Sequence, residues 1–285
     1  MLDILSQLQN TESVWGPWKA TNTTFIYTIL DRLLDEWTAS ILSAILNISD
    51  PSLIDDLADS PDAATTLCVA VAAKVLTAVI LAPLDIIRTR QILTPSSWPE
   101  GSGLIQGIKS LPSKWLCPTR LLPITVLSAA IPEALTVGAP LFIRRQLGID
   151  PVMSPGAYQT LRISLLAGRT FLALPFETVL RRGQLKEATR TVRKSGSRKH
   201  ELEQASLLTA DTLVEVGDYT GVLTTMWDIV YREGERIDLK GQIRPGQGLG
   251  GLFRAWRVCA WSLAGGLAFG GFMGGVGLSA LGGEF

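Results

Sequence analysis

Two stretches of this sequence place a proline, an acid and a base at the end of an apolar run. In the first, PLDIIRTR at 83–90, Pro83 is followed by Asp85 and Arg88. A proline kinks a helix that runs through it and would draw the end of that helix inwards. The acid and the base could then pair with neighbouring helices and close one mouth of a cavity. Ion pairs in a poorly hydrated mouth matter more than exposed ones, although desolvation offsets much of the gain.

The second stretch, LPFETVLRRGQL at 174–185, is an imperfect copy of the first. Pro175 and Glu177 repeat the proline and the acid, but Leu180 occupies the place of the base and Arg181 follows one position late. Two similar stretches roughly ninety residues apart indicate an internal repeat. We call the ion pairs that would close this mouth the gate. The displaced base predicts that the half of the gate supplied by the second stretch is damaged.

Three ionisable side chains stand inside otherwise apolar segments: Lys74, Glu133 and Arg169. Such residues are rare in membrane-spanning helices and usually mark a functional site. They could converge on a central pocket of the kind that holds a transported solute. Two alternatives without a functional role remain open: Lys74 and Glu133 form an ion pair that only stabilises the structure, or some of the three side chains face a water-filled vestibule.

Basic residues cluster at the predicted helix ends. They suit either contact with anionic lipid head groups or ordinary anchoring of the helix ends at the interface. The residues concerned are Arg88, Arg90, Arg144, Arg145, Arg181 and Arg182.

The elements that must position these side chains are helices. Hydrophobic residues make up 47% of the chain and charged residues only 18%, against about 25% charged in soluble domains. Several apolar runs reach the roughly 20 residues needed to span a bilayer, which predicts an all-α membrane protein. A mobile charged loop is expected at about 190–215. The apolar runs lie at 63–82, 121–143, 158–180 and 256–281, and helical spacing is found at 219–233 and at 21–47, where the helix is ambivalent because one of its faces is charged.

The last predicted span is rich in glycine. Gly270, Gly271, Gly274 and Gly275 recur at spacings of four, and such spacings allow two helices to approach closely. We therefore predict a packed helix with a glycine face that serves helix packing or a dimer contact, in preference to a flexible tail.

Composition argues against several functions. The formal net charge is zero, so the basic face that nucleic acids require is not expected. The three cysteines are scattered and the only histidine, His200, lies in a charged loop; neither a metal site nor a disulfide framework is predicted. No catalytic triad, phosphate-binding loop or zinc arrangement is apparent, so we expect neither an enzyme nor a cofactor.

These patterns resemble the mitochondrial carrier family, in which odd-numbered helices end in Pro-x-Asp/Glu-x-x-Lys/Arg. Pro83, Asp85 and Arg88 match that motif fully, and Glu233-Gly234 followed by GLFRAWRV resembles the family's next element. The resemblance implies a carrier-like bundle of kinked transmembrane helices with short amphipathic linker helices, whose first helix is missing or upstream. On that frame the predicted helices are 21–47, 63–93, 120–146, 158–190 and 252–281. It implies three repeats, at 1–62, 63–150 and 151–285.

The resemblance also implies that transport is lost. The second gate of carriers needs an acid and a base on the even-numbered helices, yet LFIRRQL at 141–147 has no acid and the final span has no charge before Glu284. The chain is similar to the fungal outer-membrane branch of carrier-like proteins required for mitochondrial fusion. That similarity implies a multi-pass, non-transporting adaptor in the mitochondrial outer membrane, with an outer-membrane mitofusin-type GTPase, an inner-membrane dynamin-related GTPase and membrane lipids as partners. A homodimer and a genuine solute carrier remain alternatives.

Overall fold

Four long helices build the protein. The computed structural model describes residues 20–48, 50, 51, 60, 62–93, 116–195, 219–237 and 243–265. The long helices are α1 (Thr21–Leu46), α2 (Ala63–Leu93), α3 (Leu122–Gln146) and α4 (Pro155–Ser195). The predicted all-α class is confirmed. The predicted ends of α1, α2 and α3 lie within two residues of the observed ones, whereas α4 continues five residues beyond its predicted end.

Three helices among the described residues have the length and apolar composition required to cross a membrane: Ala63–Ile92, Leu122–Gln146 and Pro155–Glu187. Helix α1 is not among them, because Asp31, Arg32, Asp35 and Glu36 lie in its middle. Of the predicted final helix, 252–281, residues 252–265 are described, and 256–265 form a helix.

The bundle is arranged around α2. Each long helix packs against its neighbour in the sequence, and α2 also packs against α4. Prolines lie inside three of these helices, at Pro83 in α2, Pro132 and Pro140 in α3, and Pro175 in α4. Membrane helices tolerate such prolines, because neighbouring side chains and local adjustments satisfy the backbone groups that are freed.

A smaller unit caps one end of the bundle. It contains α5 (Val222–Tyr231), an antiparallel pair of strands, β1 (Glu235–Ile237) and β2 (Ile243–Pro245), and the single turn α6 (Leu249–Leu252). The strands form a two-stranded sheet that the all-α prediction did not include. Two glycines with positive φ, Gly234 (+72°) and Gly246 (+93°), bound the pair, and the N–H of the second donates to the carbonyl of the first over 2.8 Å.

The buried core joins this cap to the bundle. Ile86 and Ile87 of α2, Ile124 of α3 and Val179 of α4 pack in one cluster with Ile229 of α5. All five side chains are almost fully buried. The cluster lies where the three spans begin or end, directly beside the charged residues of the PLDIIRTR motif.

Candidate functional site

Asp85 is the centre of a buried charged network. Its carboxylate is only 10% exposed and forms an ion pair with Arg88, whose Nη2 lies 3.1 Å from Oδ1, one turn along α2. Arg181 Nη1 of α4 donates to both carboxylate oxygens, over 3.0 and 3.1 Å. Gln184 Nε2 of α4 completes the set with a 2.5 Å hydrogen bond to Oδ2. We call Asp85, Arg88, Thr89, Arg181 and Gln184 the Asp85 network.

The displaced base of the second motif therefore forms its ion pair. The prediction that this half of the gate is damaged is wrong for the contact between α2 and α4. A shift of one residue rotates a side chain by about 100° around the helix axis, but the long arginine side chain still reaches Asp85. Arg181 also lies 3.7 Å from Glu177, the acid of its own motif, which is 53% exposed. Pro83 lies inside α2, within the turn before Asp85, and Pro175 lies inside α4, within the turn before Glu177.

Two uncharged members of the network were missed by sequence reasoning. Thr89 Oγ1 donates to Gln184 Oε1 over 2.9 Å, and Arg181 Nη1 also donates to both of these oxygens, over 3.1 and 3.0 Å. Both residues are buried. Their positions gave a signal: each follows a charged member of the network by three or four residues, which places it on the same helix face.

Helix α1 contacts the same end of the bundle. The Arg88 guanidinium lies over the Tyr27 ring, 4.6 Å from its centroid, which is a cation–π geometry. One helical turn before Tyr27, the Thr23 hydroxyl donates to Gln91 Oε1 of α2. The network therefore connects α2 and α4 directly, and Arg88 extends it to α1.

The second copy of the motif also ties α4 to the cap. The side chain of Arg182 forms an ion pair with Glu233, and both side chains are largely buried. Close by, the Thr178 hydroxyl donates to the Leu252 carbonyl over 3.0 Å. Arg88, Arg181 and Arg182 are thus engaged in internal pairs, which argues against their use as lipid-binding residues.

A second group of charges lies in the bundle interior. Lys74 Nζ is 3.0 Å from Asp31 Oδ2 and 3.3 Å from Asp35 Oδ2, both on α1. Glu133 of α3 lies within electrostatic reach of Lys74, of both α1 acids and of Arg169 on α4. We call these five residues the interior cluster.

The interior cluster brings together the three ionisable residues predicted from the sequence. The structural pair predicted as an alternative has a different acid, because the partners of Lys74 are the α1 carboxylates. Neither Glu133 nor Arg169 forms a direct ion pair with another described residue. The half-buried arrangement suits a polar ligand or ordered water as well as a purely structural role, so the role of the cluster stays a prediction.

The other predicted features are placed as follows. Near the opposite end of the spans, Arg144 Nε lies 3.6 Å from Asp150 Oδ1, a local contact between the end of α3 and the following loop. The described residues contain no group of acids, cysteines or histidines suited to a metal ion. Gly270, Gly271, Gly274 and Gly275 lie outside the described residues, as does the part of the predicted loop from 196 to 215.

Comparison with known proteins gives one relative that supports the predicted resemblance. The chain is 30% identical over 199 residues to the "Mitochondrial fusion and transport protein UGO1" of Saccharomyces cerevisiae, which confirms the resemblance to a fungal mitochondrial fusion protein. The matched region covers 65% of this chain and 39% of the yeast protein, so the chain spans about two fifths of the length of that relative. No protein-family profile and no solved structure matches the chain.

Proposed function

We propose that this chain is a non-transporting, carrier-like adaptor of the mitochondrial outer membrane that promotes mitochondrial fusion. The observation that carries the proposal is the similarity to the yeast fusion protein. The three apolar helices of spanning length support residence in a membrane. Multi-pass insertion in the outer membrane is part of the proposal, as are the partners: an outer-membrane mitofusin-type GTPase and an inner-membrane dynamin-related GTPase.

The Asp85 network favours a static scaffold over a transport cycle. Alternating access requires that the contacts closing one mouth are balanced by contacts across the membrane. Here Asp85 has three charged or amide partners from α2 and α4, and it is 10% exposed. Opening this mouth would break these contacts together, whereas LFIRRQL at 141–147 offers no acid for balancing pairs at the other mouth.

The proposal is tested by co-purification of the membrane-reconstituted chain with each GTPase. The complexes are assembled without nucleotide, with GDP, and with a non-hydrolysable GTP analogue. We expect retention of each GTPase in at least one of these states. The adaptor function would be overturned if neither GTPase bound the chain in any of the three states. A Glu177→Gln variant, which alters only a half-exposed contact, serves as a control and should retain each GTPase as the unaltered chain does.

A solute carrier is the second candidate, and the interior cluster is the observation that favours it. Five charged side chains from four helices at mid-bundle are an arrangement that a polar solute could use. Saturable uptake by proteoliposomes that is abolished by Lys74→Ala or Glu133→Ala would favour this function. We expect no saturable uptake. No catalytic or cofactor chemistry forms part of either proposal.

A further inference from the structure

The outward surface of α1 consists of two parallel rows of side chains. Apolar side chains spaced four residues apart form the first row, and all of them are exposed: Phe25, Ile29, Leu33, Trp37, Ile41 and Ile45. The second row runs beside it, and its members are polar and also exposed: Thr28, Arg32, Glu36 and Ser40. Residues four apart share one face of a helix, and such rows are the ridges through which helices pack against each other. We call the second row the polar ridge.

Helix α1 lies beside α2 at the depth of the spans. The two helices run antiparallel, because the start of α1 contacts the end of α2 through Thr23 and Gln91, while the two acids in the middle of α1 contact Lys74. Lys74 stands in the central part of the span that α2 forms. Arg32 and Glu36 each follow one of those acids directly in the sequence. The two charges of the polar ridge therefore lie near the middle of the apolar layer.

Neither charge of the polar ridge is paired within the part of the chain that the structure describes. No ion pair joins Arg32 or Glu36 to another described residue, and the base nearest to this part of α1, Lys74, is engaged with the two α1 acids beside them. Charged side chains inside a membrane almost always pair or face a protein interior or water, because contact with lipid is costly. The polar ridge therefore indicates a protein contact within the membrane.

The order of the charges indicates what kind of helix covers them. The predicted final helix of this chain, 252–281, contains no acid and so offers no partner to Arg32. A second copy inserted in the same orientation would bring Arg32 opposite Arg32 and Glu36 opposite Glu36 at equal depths, and such juxtaposition of like charges is unfavourable. A different helix with an acid and a base about one turn apart, in the complementary order, matches both charges.

We propose that the polar ridge of α1 binds a membrane-spanning helix of another protein, which places an acid beside Arg32 and a base beside Glu36. The neighbouring apolar row, with Trp37 at the same depth, packs against the flank of that helix. Polar side chains that meet across two membrane helices stabilise their association. The proposal concerns association within the membrane and does not depend on the adaptor function.

Synthetic membrane-spanning peptides test the proposal with the full chain in lipid vesicles. Three peptides share a leucine core and differ at one central position, which holds Glu, Lys or Leu. Association is measured by energy transfer from a dye on the peptide to an acceptor on the exposed Cys68, with Cys259 replaced by serine. We expect the Glu peptide to associate about three- to twenty-fold more tightly than the Leu peptide, through Arg32, and the Lys peptide to do so through Glu36.

Two single variants separate the contacts. Arg32→Leu should lose the preference for the Glu peptide and keep the preference for the Lys peptide, and Glu36→Leu should show the reverse. This reciprocal pattern also shows that each variant is folded, because each keeps one of the two interactions. Arg162→Leu, which removes an exposed arginine from the span of α4, is the matched control and should change neither preference.

Three results would refute the proposal. The first is equal association of all three peptides with the unaltered chain. The second is a loss of Glu-peptide binding in Arg162→Leu that equals the loss in Arg32→Leu, because the peptide would then respond to any exposed arginine. The third is energy transfer between two labelled copies of the chain that Arg32→Leu abolishes, since the polar ridge would then be a contact between copies.

Discussion

Replacing Asp85 by alanine is the sharpest perturbation of the fold. The carboxylate is 10% exposed, forms an ion pair with Arg88, and accepts hydrogen bonds from Arg181 and Gln184. Removing one partner of a buried ion pair costs about 3–5 kcal/mol. Arg181 is 36% exposed and keeps Thr89 and the Gln184 oxygen as acceptors, so solvent and these contacts offset part of the loss. We therefore expect a destabilisation of about 3 kcal/mol.

The assay is thermal unfolding of the purified chain in lipid nanodiscs, at one scan rate for all variants. A loss of about 3 kcal/mol corresponds to a decrease in Tm of roughly 6–12 °C, at about 2–4 °C per kcal/mol. Asp85→Asn keeps the size and one acceptor, and should cost about 1–2 kcal/mol. Asp85→Ala/Arg181→Leu should be less destabilised than the sum of its single changes, because the second substitution removes the charge that the first leaves unpaired.

Glu177→Gln is the matched control for this series. Glu177 is 53% exposed and 3.7 Å from the same arginine, and exposed pairs of this kind contribute less than about 1 kcal/mol. If Asp85→Ala unfolded at the same temperature as Glu177→Gln, the network would not stabilise the bundle. If Asp85→Ala were fully stable but abolished uptake of a defined solute, the network would be a transport gate and the reasoning would be refuted.

Three further predictions concern the interior of the protein. Gly183→Ala would place a Cβ 2.5 Å from Leu121 Cδ2 and should lower the free energy of unfolding by about 1–3 kcal/mol. Gly168→Ala is the control: it has open space around it and should be neutral or raise the stability by up to about 1 kcal/mol. Equal Tm values for the two variants would contradict this prediction. Lys74→Ala should lower the Tm, because it leaves two α1 carboxylates without their base, yet it should not change retention of either GTPase; loss of binding at unchanged Tm would contradict a structural role. Burial raises the pKa of the Cys117 thiol, so at neutral pH an aqueous maleimide should modify it only after unfolding; rapid modification of the folded chain, measured by intact mass, would show that the core at this end is open.

Long, mostly apolar runs and helical spacing identified the four long helices, and the resemblance to carriers placed their ends, where charged or turn residues stand. The end of α1, for example, is set by Asn47, which adopts a left-handed conformation (φ 53°). The strands β1 and β2 were not predicted, because each has only three residues, too few to show an alternating pattern. Their pairing depends on Gly234 and Gly246, and in the latter a Cβ would lie 2.3 Å from the Val230 carbonyl oxygen.

The sequence singled out the charged residues of the Asp85 network but not their pairing, and it missed Thr89 and Gln184. The sequence motif identified Asp85 and Arg88, and it placed Arg181 out of register, although the side chain is long enough to reach across to α2. The partners of Lys74 had a visible signal, since Asp31 and Asp35 are four residues apart and so share a helix face. What the sequence did not contain was the relative rotation of α1 and α2, which depends on the packing of the two helices.

We propose that this chain joins the two fusion GTPases, and sequential capture is the decisive test of that proposal. The chain is reconstituted with both GTPases, captured through the mitofusin-type partner, released, and captured again through the dynamin-related partner. We expect all three proteins to remain together after the second capture in at least one nucleotide state, and the same preparation to show no saturable solute uptake. Recovery of no more than one GTPase with the chain in every nucleotide state would contradict the proposal, and saturable uptake that Lys74→Ala abolishes would favour the solute carrier instead.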